Sequence, residues 1–196
     1  AATFGRGFYV LDDYSPLRFL APNSLKSDMV FSPKDALQYS PIRSGSSSQG
    51  GDKFYAKNPP YGAILTYHIS EIEKTLKEKR TGKEKELTKQ GEDINFPGWD
   101  KLDDELNQLK PKIIIEIRDN ENNLIDRFNG TYKKGFNRVS WGLTSPSATT
   151  IDADYSRSRV YFRSYRVEPG DYYVQAFNEK NGIISALTDK KSFNVE

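Results

Sequence analysis

The chain has 196 residues, of which 36% are hydrophobic and 29% charged, and twelve Tyr and eleven Phe stand against one Met. Its 29 basic and 27 acidic residues leave a net charge of +2, which excludes the long-range positive field that nucleic acid or an anionic membrane requires. The absence of Cys excludes disulfides and thiolate chemistry, and no apolar run approaches the roughly 18 residues of a membrane helix, so we predict no membrane insertion. The abundance of aromatic residues favours strands.

The first predicted element is a strand over "TFGRGFYVL", Thr3 to Leu11. It stops at Asp12-Asp13, whose carboxylates point to opposite faces of a strand and so do not converge as a catalytic pair would. A solvated strand with apolar residues on both faces would be prone to aggregate. We therefore expect it to pair or pack against the rest of the chain or against another copy. The expected buried side chains are Phe8, Val10 and Leu11.

Residues 21–58 have the composition of a connector, with several Pro and the low-complexity stretch "SGSSSQGG". This Ser/Gly stretch has too little apolar surface to order itself, so the sequence predicts a mobile loop there. The short piece "DMVF" is predicted to be an edge strand.

A strong strand follows over "YGAILTYHI", residues 61–69, with apolar side chains on both faces, which indicates structure on either side of it. The next stretch, "SEIEKTLKEKRTGKEKELTKQ", predicts a helix in which Ser70 and Glu73 form a capping box. Residues 71–93 carry seven basic and seven acidic side chains and few apolar ones. This pattern predicts a solvated helical insertion, and a partner-binding helix is the alternative.

A second helix is predicted over "NFPGWDKLDDELNQLKP". Trp99, Leu102, Leu106 and Leu109 have helical spacing after an Asp100 cap, which predicts an apolar side lying on a sheet. Trp99 is then interpreted as a packing anchor rather than a ligand platform.

The remainder of the chain predicts strands with short turns, the pattern of a β-sandwich. The strands are "KIIIEIRD", "LIDRF", "GFNRVSWGL", "EPGDYYVQAF" and "IISALTDKKSFNV", and "RVYFRSYRV" fits a strand or a loop. Val139 and Trp141 are expected on the same face of their strand. The stretch "VEPGDYY" suits a tyrosine corner, in which the hydroxyl of Tyr172 or Tyr173 bonds back to the chain.

Three groups of residues were considered for chemistry. His68, the single His, stands in mid-strand among apolar residues and is interpreted as structural rather than as part of a triad. Asp152 and Asp154 are spaced to share a Ca²⁺ ion, but without a full ligand pattern we predict no metal and no cofactor. The side chains of Tyr132, Tyr155 and Tyr161 are candidates for an aromatic platform that stacks on sugar rings.

Two stretches carry a resemblance to known proteins. "IIIEIRDNENNLIDRFNGTYKKGFNRVSWGL…VEPGDYYVQAF" resembles an immunoglobulin-like module of the flagellar hook-cap and fibronectin type III kind. The matching residues are Gly135, Asn137, Val139, Trp141, Pro169, Gly170 and Tyr172. The ordered series "TFGRGFYVLDDYSPLR", "NPPYGAILTYHI", a charged helical insert, "FPGW" and "KGFNRVSWGL" resembles the C-terminal region of large secreted bacterial proteins. Their N-terminal part is similar to a sortilin-type β-propeller of BNR (Asp-box) repeats, often labelled glycosyl hydrolase by analogy.

The resemblance implies an all-β chain of three parts. Residues 1–20 would be the last strand and exit of a preceding propeller, 21–58 the connector, and 59–196 an immunoglobulin or fibronectin III-like β-sandwich with a helical insertion at 70–110. The structural side chains would be Trp99, Trp141, Tyr172 and Tyr173.

The function that this implies is a non-catalytic accessory module of a secreted or cell-surface protein of a Gram-negative bacterium, whose signal peptide would lie upstream. Its partner would be its own propeller or another protein chain. The alternative is a glycan partner, as for a carbohydrate-binding module of a glycan-degrading enzyme. No catalytic constellation is predicted in this chain, and any chemistry of the propeller does not transfer to it.

Overall fold

The computed structural model describes residues 2–3, 7–8, 13–21, 24–40, 59–146 and 164–196. The strands in these ranges are β1 (Ala2–Thr3), β2 (Gly7–Phe8), β3 (Met29–Val30), β4 (Ala63–Ile69), β5 (Lys112–Asp119), β6 (Leu124–Gly130), β7 (Gly135–Trp141), β8 (Thr144–Ser145), β9 (Tyr165–Arg166), β10 (Gly170–Lys180), β11 (Ile183–Ala186) and β12 (Lys191–Val195). The helices are α1 (Ser15–Arg18), α2 (Leu76–Gln90) and α3 (Trp99–Asn107), with a 3-10 turn at Ser24–Lys26.

The smaller of the two main sheets has the antiparallel order β3-β4-β7. The edge strand predicted in "DMVF" is therefore confirmed as β3, in which Val30 lies opposite Tyr67. β4 is covered on both faces, as its sequence predicted. Leu65 and Ile69 are at most 1% exposed on the core side, and His68 is 6% exposed on the other.

The larger sheet has the antiparallel order β6-β5-β10, and the far edge of β10 is shared by two strands. β12 pairs with the first half of β10, where Tyr172 lies opposite Phe193, and β11 pairs with the second half, where Phe177 lies opposite Ala186. β10 is long enough to hold both because it continues through Lys180 before the turn at Asn181 and Gly182.

Both main sheets supply side chains to one hydrophobic core. Its members come from β3, β4, β5, β7, β10 and β12 and from the loops beside them. Their burial follows the alternation of the strands: Ile113, Ile115 and Ile117 on β5 are at most 1% exposed. The arrangement is consistent with an all-β sandwich, although α2 and α3 interrupt the strands between β4 and β5.

Trp141, at the end of β7, is 2% exposed and lies among aromatic rings of the other sheet. Its ring centroid is 5.6 Å from that of Tyr172 and 6.1 Å from that of Phe193. The buried indole Nε1 donates to Asp126 Oδ2 at 3.1 Å and to the Thr144 carbonyl oxygen at 3.0 Å. These two bonds satisfy a polar group whose burial would otherwise be costly.

The loop before β10 is held by a hydrogen bond from a tyrosine hydroxyl. Tyr172 Oη donates to the carbonyl oxygen of Glu168 at 2.7 Å, which is the contact that defines a tyrosine corner. Tyr172 is 6% exposed, and its burial raises the pKa of the hydroxyl. Tyr173, the other residue considered for this role, is half-buried and points to the opposite side of the strand.

The capping box predicted at Ser70 is wrong, because β4 continues through Ile69 and Ser70 ends the strand. The Ser70 N–H and hydroxyl both donate to Asp28 Oδ1, at 2.8 and 2.7 Å. The helix begins at Leu76 instead, and its capping box is formed by Thr75, five residues after Ser70. Thr75 Oγ1 accepts from the Glu78 N–H at 3.2 Å, and Glu78 Oε2 accepts from the Thr75 N–H at 2.9 Å.

The prediction that α3 lies on the sheet is also wrong. No residue of α3 is buried, and Trp99 is 73% exposed, so it is not a packing anchor for the core. Its ring meets Phe96 edge-on at 5.1 Å instead. The physical reason is that α3 is tied to α2 by charged side chains, while the strands fill the core among themselves.

The first strands form a pair of their own. Ala2 lies opposite Phe8 and Thr3 opposite Gly7, so β2 pairs with β1, and among the described residues neither strand pairs with the two main sheets. Within the described residues, the strand predicted over Thr3 to Leu11 is thus replaced by a small antiparallel pair. The burial predicted for the Phe8, Val10 and Leu11 side chains, and the Ser/Gly stretch, lie outside what the structure describes.

Candidate functional site

Residues 13–21 and 24–36 hold the chain against the β4–β7 sheet, and we call these residues the N-terminal clamp. Asp13 lies at its start: Oδ1 accepts from the Ser15 N–H and pairs with Lys34 Nζ, both at 3.0 Å. The Asp13 carbonyl oxygen accepts from Arg138 Nη2 on β7 at 3.1 Å. A single residue thereby joins α1, the segment after β3, and the sheet.

The ionisation of Asp13 is favoured by its partners. Burial alone would raise the pKa of this carboxyl, whose side chain is only 12% exposed, but the Ser15 hydrogen bond and the Lys34 ammonium hold it below its usual range. The clamp is therefore strongest when Asp13 is charged.

The second half of the clamp is apolar and joins both sheets. Phe31 is 4% exposed and stacks on Phe136 of β7 with ring centroids 5.8 Å apart. The Ala36 N–H donates to the Asn194 carbonyl oxygen at 2.8 Å, and the Ala36 carbonyl accepts from the Glu196 N–H at 2.9 Å. The clamp therefore continues from the small sheet to the end of β12 in the large one.

The second candidate surface is the helical insertion, whose two helices are held together by Arg80. The guanidinium donates to both carboxylate oxygens of Glu105 on α3, at 2.7 and 2.9 Å, and to Glu84 Oε1 at 2.6 Å. These bonds lower the pKa of Glu105 and raise that of Arg80. A bidentate pair of this kind fixes geometry as well as distance, so α2 and α3 are set at a defined angle.

A groove of about 510 Å³ runs between α2, α3 and the segment that joins them. Its apolar lining comes from Leu76, Leu87, Ile94 and Pro97. Its charged border holds Lys79, Lys83, Lys101 and Asp104, besides Arg80 with its partners Glu84 and Glu105. Beside it α3 exposes most of its apolar side, which includes Trp99 at 73% and Leu106 at 83% exposure. Grouped exposed apolar side chains of this kind mark interaction surfaces.

Of the three tyrosines predicted to form a sugar platform, Tyr132 is the one within the described residues. Its side chain packs against the core, and its hydroxyl accepts from the Glu73 N–H at 3.1 Å, just before α2. It therefore anchors the start of the insertion. Tyr155 and Tyr161 lie outside the described residues, as do Asp152 and Asp154, the two residues spaced to share a cation.

His68 makes structural contacts. Nδ1 is 3.3 Å from the Ser27 carbonyl oxygen, and the ring meets Phe136 edge-on at 5.4 Å. Within the described ranges, no group of three or more His, Cys, Asp or Glu side chains is placed to hold a metal ion.

Sequence reasoning missed the clamp, whereas it named the insertion as a partner-binding helix only as the alternative to a solvated one. The clamp depends on contacts between residues about 20 to 125 positions apart, such as Asp13 with Lys34 and Arg138. A local sequence pattern does not predict such contacts. The insertion did carry a signal. The balanced count over residues 71–93 stops before α3, and the two helices differ in charge: α2 carries six basic and three acidic residues, whereas α3 carries one basic and four acidic residues.

Comparisons with known protein families, with curated proteins and with solved structures find no match to this chain. None of the helices in the described part of the chain has the length and apolarity needed to cross a membrane.

Proposed function

We propose that the chain is a non-catalytic, immunoglobulin or fibronectin III-like accessory module of a secreted or cell-surface protein, packed on a preceding β-propeller or binding a partner. The observation that carries this proposal is the N-terminal clamp. It fastens the segment that follows β1 and β2 to the sandwich through Asp13, Arg138 and Phe31. A domain preceding that segment would be held close to the sandwich instead of swinging on a free linker.

The immunoglobulin-like part of the proposal is supported by the order of the strands. The chain passes from the small sheet to the large one between β4 and β5, returns between β6 and β7, and crosses again before β10. Such crossings are the Greek-key connections of immunoglobulin-like sandwiches, and the tyrosine corner at Tyr172 is a further hallmark of that class.

The accessory role is tested in the longer protein that this chain would belong to. The proposal requires a propeller domain before Ala1. In that protein, Arg138→Ala should loosen the clamp and lower the unfolding temperature of the propeller, whereas Arg127→Ala on β6 should not. An upstream sequence without a propeller would overturn the proposal. So would a propeller whose unfolding temperature is unchanged by Arg138→Ala.

The alternative, a carbohydrate-binding module, would need exposed rings where Tyr132 instead packs on the core. A glycan array with the isolated chain separates the two functions. The accessory role predicts no glycan retained above background, and selective retention of one glycan class would favour the alternative.

A further inference from the structure

We propose that two copies of this chain associate through their helical insertions, with the apolar side of α3 in one copy seated in the α2–α3 groove of the other. This proposal does not depend on the accessory role. The accessory role rests on the N-terminal clamp, whereas this proposal rests on the exposed, charged surface of α2 and α3.

The first argument is the unpartnered apolar stripe of α3. Trp99, Leu102 and Leu106 recur at the spacing of one face of α3, and Leu109 follows just after the helix ends. Leu102 is half-buried and the Trp99 ring meets Phe96 edge-on, but most of this apolar surface stays exposed. Trp99, Leu106 and Leu109 are 73%, 83% and 59% exposed. A surface helix normally buries such a face, and keeping large apolar side chains in water forgoes that stabilisation.

The second argument is charge. α2 carries six basic and three acidic residues, a net charge of +3, and α3 carries one basic and four acidic residues, a net charge of −3. Lys79 and Lys83 of α2 border the groove and are exposed, as is Lys101 of α3. Arg80, Glu84 and Glu105 pair with one another, so Asp104 is the one acidic residue of the lining outside that cluster. Asp100 and Asp103 stand on α3 beside the apolar stripe and are also exposed. An occupant of the groove should therefore present apolar anchors flanked by carboxylates, and α3 of a second copy does so.

The third argument is symmetry. A two-fold axis places the same patch of one copy against itself in the other, so the patch must be self-complementary. A patch with a basic half on α2 and an acidic half on α3 meets that condition when the axis runs between the two helices, because the rotation then places α2 of one copy over α3 of the other. The same arrangement gives two equivalent apolar insertions for each dimer.

The fourth argument is preorganisation. The fork of Arg80 on Glu105 fixes the two helices before any partner arrives. A surface that is already ordered loses less conformational entropy on association than one that must fold on its partner.

The first experiment is analytical ultracentrifugation of the full chain across a wide concentration range. We expect a species of twice the chain mass of 22.4 kDa. Leu106→Asp should weaken dimerisation by about 30-fold or more, the effect of losing a central anchor. Phe19→Asp is the matched control, because Phe19 is 65% exposed but lies in the clamp segment. It should leave the dimer intact, and circular dichroism of both variants should match the wild type.

The second experiment exchanges the charges. Lys79→Glu with Lys83→Glu makes one variant acidic over the whole patch, and Asp100→Lys with Asp103→Lys makes another that is basic. Each variant alone should be monomeric, because like charges would face each other across the axis. An equimolar mixture should restore a 1:1 dimer, since every contact then joins opposite charges.

Three results would overturn the proposal. The first is a wild-type chain that stays monomeric at every concentration, which would leave the groove to another kind of protein or to no partner. The second is a dimer that survives Leu106→Asp, which would place the interface elsewhere, for example at the edge strand β11. The third is a charge-exchanged pair that fails to associate when mixed although each member is folded.

Discussion

At the scale of single residues, a few polar contacts decide how the ends of this sandwich are held. The Tyr172 hydroxyl fixes the turn before β10, and the Trp141 indole joins β7 to Asp126 at the start of β6. Both rings are buried and both polar atoms are bonded, so each combines a large apolar contribution with a directed contact. Either contact can be removed while the ring stays.

Tyr172→Phe is the cleanest of these tests. It deletes the hydroxyl and leaves the Glu168 carbonyl oxygen without that donor, so we expect a loss of about 1 kcal/mol in the free energy of unfolding. Denaturant titration measures the change. Tyr173→Phe is the matched control, since it removes the same atom from the neighbouring residue on the other side of β10. Equal effects from the two substitutions would show that the tyrosine corner contributes nothing specific.

The clamp should respond to acid through Asp13. Its pKa in the folded state is held below the ordinary value of 3.8, so the charged carboxylate stabilises the fold at neutral pH. That contribution is complete above the unfolded pKa and is lost as the pH falls through the folded one.

Asp13→Asn removes the titrating group, so the stability gap between wild type and variant should narrow as the pH falls from about 7 to about 3. Denaturant midpoints at each pH measure the gap. Lys34→Gln leaves the Ser15 bond in place and should keep part of the same pH dependence. A gap that stays constant over this range would show that Asp13 does not titrate in the clamp.

At the scale of elements, the long strands β4, β5, β6, β7 and β10 were predictable because their signal is local. The strand "KIIIEIRD" matches β5 from Lys112 to Asp119, since its apolar residues and the turn after it are contained in the segment itself. The helices were predicted in kind but not in placement. The spacing of Trp99 and Leu106 indicates an apolar face, but where that face lies depends on Arg80, about 20 positions away in the chain. Contacts between distant residues leave no trace in a local pattern.

The insertion is predicted to be dispensable for the sandwich. At concentrations where the chain is monomeric, replacing residues 71–93 by a short Gly/Ser linker should keep unfolding cooperative. The free energy of unfolding should change by less than about 1 kcal/mol, because loop length has a small entropic cost. No residue of α2 or α3 is buried, which is the structural ground for this expectation. Urea unfolding followed by circular dichroism measures it.

Arg80→Ala is the companion variant, because it releases α3 from α2 without shortening the chain. It should speed amide exchange in both helices and leave the slowest exchanging amides of β5 and β10 unchanged. A loss of several kcal/mol in either variant would show that the insertion is part of the core.

At the scale of the whole molecule, the sandwich extends further towards the N-terminus than its strong strands suggest. The stretch around β3 lies in what composition marks as a connector, yet Val30, Phe31 and Ala36 are all less than 9% exposed. Val30 and Ala36 belong to the common core, and Ala36 bridges to Val195 in parallel. This stretch therefore closes the space between the two sheets at one side.

The last prediction tests whether this closure is part of the cooperative fold. Phe31→Ala should cost about 3 kcal/mol, because it removes a ring that is 4% exposed and leaves a cavity beside Phe136. Phe136→Ala is the matched control: it breaks the same stack, but Phe136 is 46% exposed and should cost less than half as much. Unfolding is followed by the fluorescence of Trp141 in a Trp99→Phe background, so that the signal comes from the core alone. If Phe31→Ala costs less than about 1 kcal/mol, the clamp lies on a sandwich that is already complete. If it costs about 3 kcal/mol, the N-terminal clamp is part of the cooperatively folded sandwich.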